Sequence, residues 1–179
     1  LLDNGETWRY RDPRRFGVAE LHAIAAPGGE PDCLADQGPE PLDDQVFNAW
    51  VLRAACAGHE RPIKPFLLDP SVVVGVGNIY ASEALHRAGI RPTRTAASLS
   101  LARCGKLVAA IQEVLQAAIA AGGTTVADFR APDGSEGWFT RELRVYERAG
   151  QPCLGCGKGP IQRLVQTGRS SYFCPHCQR

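Results

Sequence analysis

The sequence predicts an α+β protein in three parts, and three patterns along the chain indicate it. Residues 6–22 alternate loosely between apolar and polar and predict two strands around a turn. Amphipathic stretches predict helices in the middle of the chain, and two Cys-x-x-Cys pairs lie near its end. We place a strand-forming remnant at 1–24, a linker rich in Gly, Pro and Asp at 25–41, a helical domain at 42–140, and a cysteine module at 141–179.

Three helices are expected in the middle of the chain. The first should follow Asp43–Asp44, end at Gly58, and bury one face made of Val46, Phe47, Trp50, Val51, Ala54 and Ala55. The second should run from about Ile79 to Ala88 and end at Gly89. The longest should start near Ser98 or Ser100, end at Gly122–Gly123, and bury a stripe made of Leu101, Cys104, Leu107, Val108, Ile111, Leu115 and Ile119.

Charge is unevenly distributed along the chain. The formal net charge is +1 overall, but residues 1–60 hold 5 basic and 11 acidic side chains, whereas residues 141–179 hold 7 basic and 2 acidic ones. The C-terminal segment therefore carries a net charge of +5 (7 minus 2). A phosphate-binding surface needs such a local patch more than a high overall isoelectric point.

The N-terminus has no basic flank leading into an apolar stretch, and no apolar run approaches the roughly 18 residues that a membrane span needs. A cytoplasmic protein is therefore expected. The chain contains no Met and opens at Leu1 as though in the middle of a hairpin. We interpret it as a fragment of a longer protein.

The cysteine module is the most specific motif. Cys153, Cys156, Cys174 and Cys177 form the pattern C-x2-C-x17-C-x2-C, which lies within the spacing of zinc ribbons. Each pair can hold one side of a tetrahedral Zn²⁺ ion, while the residues between the pairs form a hairpin. Two disulfides or four reduced core thiols are the alternatives. So short a module has little core of its own, however, which favours one structural zinc ion that supplies folding energy.

Two further motifs leave alternatives open. Arg169 follows a turn-forming glycine in the loop between the cysteine pairs, where it could contact phosphate or simply lie in solvent at a hairpin tip. Gly75 and Gly77 precede the second helix. They could let backbone amides face an anion at the helix N-terminus, with Asn78 at the cap and its side chain free, or merely allow close packing.

Three separated stretches together resemble one family. They are Asp12-Pro13-Arg14-Arg15-Phe16-Gly17, the run Ile63–Asp69 followed by Val74–Glu83, and the tail from Val145-Tyr146 through Gly168-Arg169-Ser170-Ser171 to Cys177-Gln178. In this combination and order the chain resembles formamidopyrimidine-DNA glycosylases over nearly its whole length. The resemblance implies an N-terminal β-sandwich, a helix-two-turn-helix domain and a zinc-ribbon β-hairpin finger, with oxidised double-stranded DNA as the partner and a monomer as the acting unit.

The resemblance also implies roles for individual residues. Lys64 and Asn78 would hold phosphates from the helical side, and Arg169 would hold them from the finger and take part in the final elimination step. Arg14 would pair with the base left behind by the flipped nucleotide, and Phe16 would wedge the stack. From residue type alone, Arg14 would be assigned to a solvated strand edge and Phe16 to the core. His59 is expected to meet a phosphate, although Glu60 beside it makes this patch less basic than in relatives.

The activity implied is base-excision repair by a bifunctional DNA glycosylase and apurinic-site lyase that removes 8-oxoguanine and formamidopyrimidines. Residues 122–139 match the loop that closes over the everted purine. The family nucleophile is an N-terminal proline, to which Leu1 does not correspond, so we expect the chain alone to be inactive. The alternatives are a non-catalytic zinc-dependent DNA-binding protein and the endonuclease VIII branch, which prefers oxidised pyrimidines. A bacterial protein associated with the nucleoid is expected.

Overall fold

The computed structural model describes residues 4–5, 7, 18–24, 31–124 and 139–179. The chain divides into two compact units, Leu1–Asp36 and Gln37–Arg179. In the first unit, residues 18–24 form neither helix nor strand, and a short 3₁₀ turn spans Asp32–Leu34. Most of the two strands expected at 6–22 lies outside the described residues. All the other described helices and strands lie in the second unit.

The second unit starts before the point that composition suggested, because Gly38 packs against the loop at 70–74. Its amide donates to Pro70 O at 2.7 Å, and a Cβ at Gly38 would lie 2.7 Å from Ser71 O and from the carbonyl carbon of Val72. Only glycine allows this approach. The end of the expected linker is therefore part of the packed helical unit.

Helix α1 spans Ala49–Cys56, so it begins five residues after the expected Asp44. The Asn48 side chain accepts hydrogen bonds from the amides of Trp50 and Val51 and caps the helix there. The expected buried face was wrong, because Trp50 is 72% exposed while Leu52 and Cys56, four residues apart, point into the core. Phe47 is buried, but it precedes the helix.

Helix α2 spans Ile63–Leu67, and two successive turns lead from it to α3, Asn78–Arg87. Gly89 follows α3 with φ of 69°, as expected for a glycine at a helix end. Helix α4 spans Leu101–Ala120, where Ser100 caps the start by accepting from the Arg103 amide. The bounds expected for α3 and α4 are confirmed to within a residue or two.

Helices α1 and α3 both pack on α4 and form the main apolar core with α2 and Phe139. The stripe of α4 is buried as expected from Cys104 to Leu115, but Leu101 is only half-buried, and Ile119 is 67% exposed and lies off the stripe. Ala118 takes the last buried position instead. Among the described residues, no helix has the length and hydrophobicity needed to cross a membrane.

The C-terminal part contains one antiparallel hairpin, β1 at Gln162–Gln166 and β2 at Arg169–Phe173. Gln166 pairs with Arg169 across a two-residue turn, in which Thr167 and Gly168 have φ of 46° and 76°. Two left-handed residues in succession match the twist of a tight hairpin. A small second core below the hairpin contains Val145, Cys153, Ile161 and Cys174.

Candidate nucleic-acid interface and metal centre

The four cysteines of the C-terminal module converge on one point. Their sulfur atoms all lie within 4.8 Å of one another, with 3.8 Å between Cys153 and Cys177 and 3.7 Å between Cys156 and Cys174. A tetrahedral zinc ion with Zn–S bonds of about 2.3 Å requires sulfur separations of about 3.8 Å. A disulfide would bring a pair to about 2.05 Å. The four cysteines are therefore positioned to bind one zinc ion, and the disulfide alternative is wrong.

Backbone amides donate to the first sulfur atom of each Cys-x-x-Cys turn. The Gly155 amide lies 3.4 Å from Cys153 Sγ, and the Cys177 amide lies 3.4 Å from Cys174 Sγ. Burial raises the pKa of Cys153, but hydrogen bonds from the Cys156 and Gly155 amides and from His86 outweigh it and bring the pKa to about 6. Burial raises the pKa of Cys174. These donors thus favour the thiolate form of Cys153, which is the form that binds metal.

Lys64 connects the helical side to the hairpin. It is only 1% exposed, and its Nζ donates to Asn78 Oδ1 at 2.6 Å, to Ser170 O at 2.8 Å and to Ser171 Oγ at 2.9 Å. A lysine ammonium has three donors, so all of them are used within the protein. The network places the first residue of α3 and the start of β2 around one buried positive charge.

The charge of Lys64 is held in an unfavourable environment. Burial and, secondarily, the nearby Arg169 guanidinium lower the pKa of Lys64 to about 8. Arg169 itself is exposed, and none of the described carboxylates forms an ion pair with it. A shallow groove between α2 and the hairpin is lined by Arg61, Pro65, Leu68, Asp69, Thr167 and Arg169. An anion in this region would relieve the repulsion between the two cations.

Asn78 is the first residue of α3, and Gly77 occupies the capping position. The sequence suggested that the Asn78 side chain is free, but it is not. Its Oδ1 accepts from Lys64, and its Nδ2 lies 3.4 Å from the Tyr146 hydroxyl. A Cβ at Gly75 or Gly77 would meet none of the described atoms within 4 Å. Among the residues that the structure describes, close packing therefore requires neither glycine.

His59 is exposed, and its ring lies 5.1 Å from the Phe66 ring. Arg61, two residues later, donates to Asp69 at 3.0 Å and lies 5.5 Å from the same Phe66 ring. Hydrogen bonds from Ser71 and from Arg61 lower the pKa of Asp69. The Arg61–Asp69 ion pair therefore neutralises part of the positive charge close to His59.

A second long-range connection joins α3 to the segment that precedes the finger. Glu83 is 0% exposed, and its carboxylate accepts from the amides of Arg144, Val145 and Tyr146 at 2.9 to 3.1 Å. Three backbone donors on one carboxylate fix the course of this segment. The Tyr146 hydroxyl is thereby brought against Asn78.

Several expected site residues lie outside the described residues. Arg14 and Phe16 are among them, as are residues 125–138 of the loop expected to cover the damaged base. The two ends of that loop are described and meet each other, because the Phe139 amide donates to Gly123 O at 3.3 Å. Beside them, Thr124 Oγ1 lies 3.0 Å from the Tyr80 hydroxyl.

Of the expected contacts on the described residues, the structure brings Lys64, Asn78 and Arg169 together, whereas His59 packs against the Phe66 ring. Sequence reasoning missed Glu83 and His86. Each is a polar side chain within a mostly buried helix, and that position is the signal that could have found them.

Comparisons with known proteins agree with this architecture. A profile described as the formamidopyrimidine-DNA glycosylase H2TH domain matches residues 37–130, and one described as a zinc finger found in FPG and IleRS matches residues 150–179. The chain is 48% identical over 99% of its length to the formamidopyrimidine-DNA glycosylase of Paracoccus denitrificans, of which it spans 62%.

Solved structures show the same similarity. A crystal structure of the MutM (Fpg) protein from Thermus thermophilus is similar with a TM-score of 0.76 and 44% identity, over 81% of this chain and 55% of that one. A complex of Lactococcus lactis Fpg with DNA containing an abasic site gives a TM-score of 0.73 and 36% identity, over 80% and 52%. The chain spans less than two thirds of the curated relative above. This chain belongs to the formamidopyrimidine-DNA glycosylase family.

Proposed function

We propose that this chain is the damaged-DNA-binding part of a base-excision repair enzyme, a DNA glycosylase and apurinic-site lyase acting on oxidised purines. The observation that carries the proposal is the network around Lys64. It joins the start of α3, which two glycines precede, to Ser170 and Ser171 of the hairpin, and it places the Arg169 charge near the same buried cation. An exposed guanidinium on the hairpin and the N-terminus of α3 therefore lie on two elements held together by one network, which suits a phosphate backbone bound from two sides.

Within this site the side chains have different tasks. Arg169 offers an exposed planar guanidinium, which binds a phosphate in a bidentate manner. The first free amides of α3 and the Asn78 side chain would meet a phosphate at the helix N-terminus. Lys64 has no donor left, so it acts as a positioning residue whose charge attracts phosphate while its hydrogen bonds hold Asn78 and the hairpin.

DNA binding by variants tests this assignment. Arg169→Ala and Asn78→Ala should each weaken binding to lesion-containing and undamaged duplex alike by about 1 to 3 kcal/mol, as expected for lost charge-assisted bonds. Arg169→Ala should also reduce the salt dependence by about one released ion. Lys106→Ala is the matched control, because Lys106 is an exposed cation of α4. Unchanged dissociation constants for both test variants at fixed salt would refute the proposed clamp.

We also propose a substrate class for the protein and a catalytic role for Arg169. A relative is named formamidopyrimidine-DNA glycosylase, and a similar solved structure of the Lactococcus lactis protein holds DNA that contains Fapy-dG. Both observations favour oxidised purines over the pyrimidine branch. We propose that Arg169 also assists the final elimination, since a cation beside the sugar phosphate stabilises a departing anion. Residues 1–179 alone should bind without turnover, because none of them corresponds to the proline nucleophile.

Borohydride trapping on an abasic duplex tests this expectation. The 179-residue chain should show no covalent capture, whereas a form that carries the proline nucleophile should be trapped. Capture by residues 1–179 would reveal a different nucleophile and overturn the assignment.

The remaining features of the proposal follow from the family. Residues 1–24 would belong to the β-sandwich, with Arg14 and Phe16 filling the space of the flipped nucleotide. Residues 122–139 would cover the everted base. The protein would act as a monomer on chromosomal DNA in the bacterial cytoplasm.

A further inference from the structure

His86 is a buried side chain that the proposed DNA clamp does not use. It lies in the last turn of α3 and is 7% exposed. Its ring reaches the cysteine cluster from outside, where Nε2 lies 3.5 Å from Cys153 Sγ. The ring also packs against the first cysteine turn, since a Cβ at Gly155 would lie 3.7 Å from its Cε1 and 3.8 Å from its Nε2.

The protonation of the ring follows from its two nitrogen environments. Nδ1 is buried and has no hydrogen-bond partner among the described residues, so a proton on Nδ1 would lack an acceptor. A zinc-bound thiolate carries no proton and can only accept. Nε2 is therefore the ring nitrogen placed to donate, with Nε2–H directed to Cys153 Sγ.

A hydrogen bond to a metal-bound thiolate has two effects. It withdraws charge from the sulfur, which makes that ligand less prone to protonation and attack, and it fixes the orientation of the ligand. Cys153 already accepts from the Gly155 amide within its own turn. The bond from His86 differs, because it comes from a helix 67 residues away in sequence.

We propose that His86 is a positioning residue of the zinc centre, which donates from Nε2 to the Cys153 thiolate and thereby slows zinc loss. The same contact ties the finger to α3, whose first residue is Asn78. Asn78 and His86 are eight positions apart, which corresponds to a rise of roughly 12 Å along the helix axis. The zinc centre and the candidate phosphate site are thus attached to opposite ends of one helix.

The test compares His86→Phe with His86→Gln in the zinc-loaded chain. Phe keeps the volume of the ring but has no donor, whereas the Gln amide nitrogen can take the place of Nε2. Zinc transfer to a chromophoric chelator should be about 10-fold or more faster in His86→Phe, as for other groups that support metal ligands, and close to the unchanged protein in His86→Gln. In the cobalt-loaded chain, the thiolate-to-metal charge-transfer band should shift in His86→Phe and stay in place in His86→Gln.

Each outcome decides the proposal. Equal zinc transfer and an unshifted band in His86→Phe would overturn it, and so would equally fast transfer in both variants, because that result would indicate packing rather than donation. If His86→Phe does not fold, His86→Asn replaces it, since the shorter amide does not reach Cys153 Sγ. None of these measurements uses DNA, so failure here would leave the proposed clamp intact.

Discussion

The carboxylate of Glu83 should be one of the most costly polar groups to change in this chain. It is fully buried and accepts from three backbone amides, those of Arg144, Val145 and Tyr146. Glu83→Ala would leave three donors without an acceptor, at about 1 to 3 kcal/mol each. Because two of the three bonds are only partly buried, we expect a loss of about 3 to 6 kcal/mol in the free energy of unfolding.

Glu83→Gln is the more informative variant, since it keeps the size of the side chain. The amide oxygen can still accept, but the amide nitrogen must replace Oε2, which accepts from the Arg144 amide at 3.0 Å. The N–H of the new amide and the N–H of Arg144 would then face each other, and the other bonds would lose their charge-assisted character. We expect a loss of about 2 to 4 kcal/mol, a large fraction of the usual stability of a domain.

Urea unfolding measures the total loss, and amide hydrogen exchange at residues 144–146 locates it. Glu113→Gln is the control, because Glu113 is an exposed carboxylate of α4, and it should stay within about 0.5 kcal/mol of the unchanged chain. A Glu83→Gln chain with unchanged stability and fully protected amides at 144–146 would refute the role assigned to this carboxylate.

Lys64, the cysteine cluster and the buried face of α4 can each be tested in the same way. The pKa of Lys64 is lowered to about 8, and a bound phosphate would raise it. DNA affinity should therefore fall as the pH rises through 8. Binding measured at several pH values should show this fall in the unchanged chain but not in Lys64→Met. Chelation of zinc should unfold residues 150–179, because the small core there is built on cysteines; a folded hairpin with reduced, metal-free thiols in the NMR spectrum would contradict this. Ile111→Ala should lower the free energy of unfolding by about 2 to 5 kcal/mol, whereas Ile119→Ala should lower it by less than about 0.5 kcal/mol, since only Ile111 is buried. Urea unfolding measures both, and similar losses would contradict the assigned face of α4.

Local patterns predicted the parts of the molecule that depend on neighbouring residues. The cysteine spacing indicated the zinc centre, since each pair lies in one turn and needs only the other pair to complete a tetrahedron. Ser100 and Gly89 marked helix ends because a cap acts within one turn of the chain. The hairpin was expected for the same reason, from a glycine between the cysteine pairs.

The same reasoning failed where several local signals compete. Asp43 and Asp44 are acceptable helix starts, but Asp43 accepts from the Gln45 amide in a turn instead, and Asn48 caps α1. The expected face of α1 followed from that earlier start. Which face of α1 is buried was decided by its packing on α4, and periodicity in so short a helix does not distinguish one stripe from the next.

The sequence by itself determined the family, the metal ligands and the ends of α3 and α4, because these depend on residue types at short, fixed spacings. Only the tertiary structure decided which polar groups meet: Lys64 reaches Ser170 and Ser171 across 106 and 107 residues, and Glu83 reaches the segment at 144–146 across 61 or more. Such partners have no signature at short range, since they depend on how α2, α3 and the finger pack together. The physical reason is that a buried charge must find its hydrogen bonds wherever the packed chain supplies them.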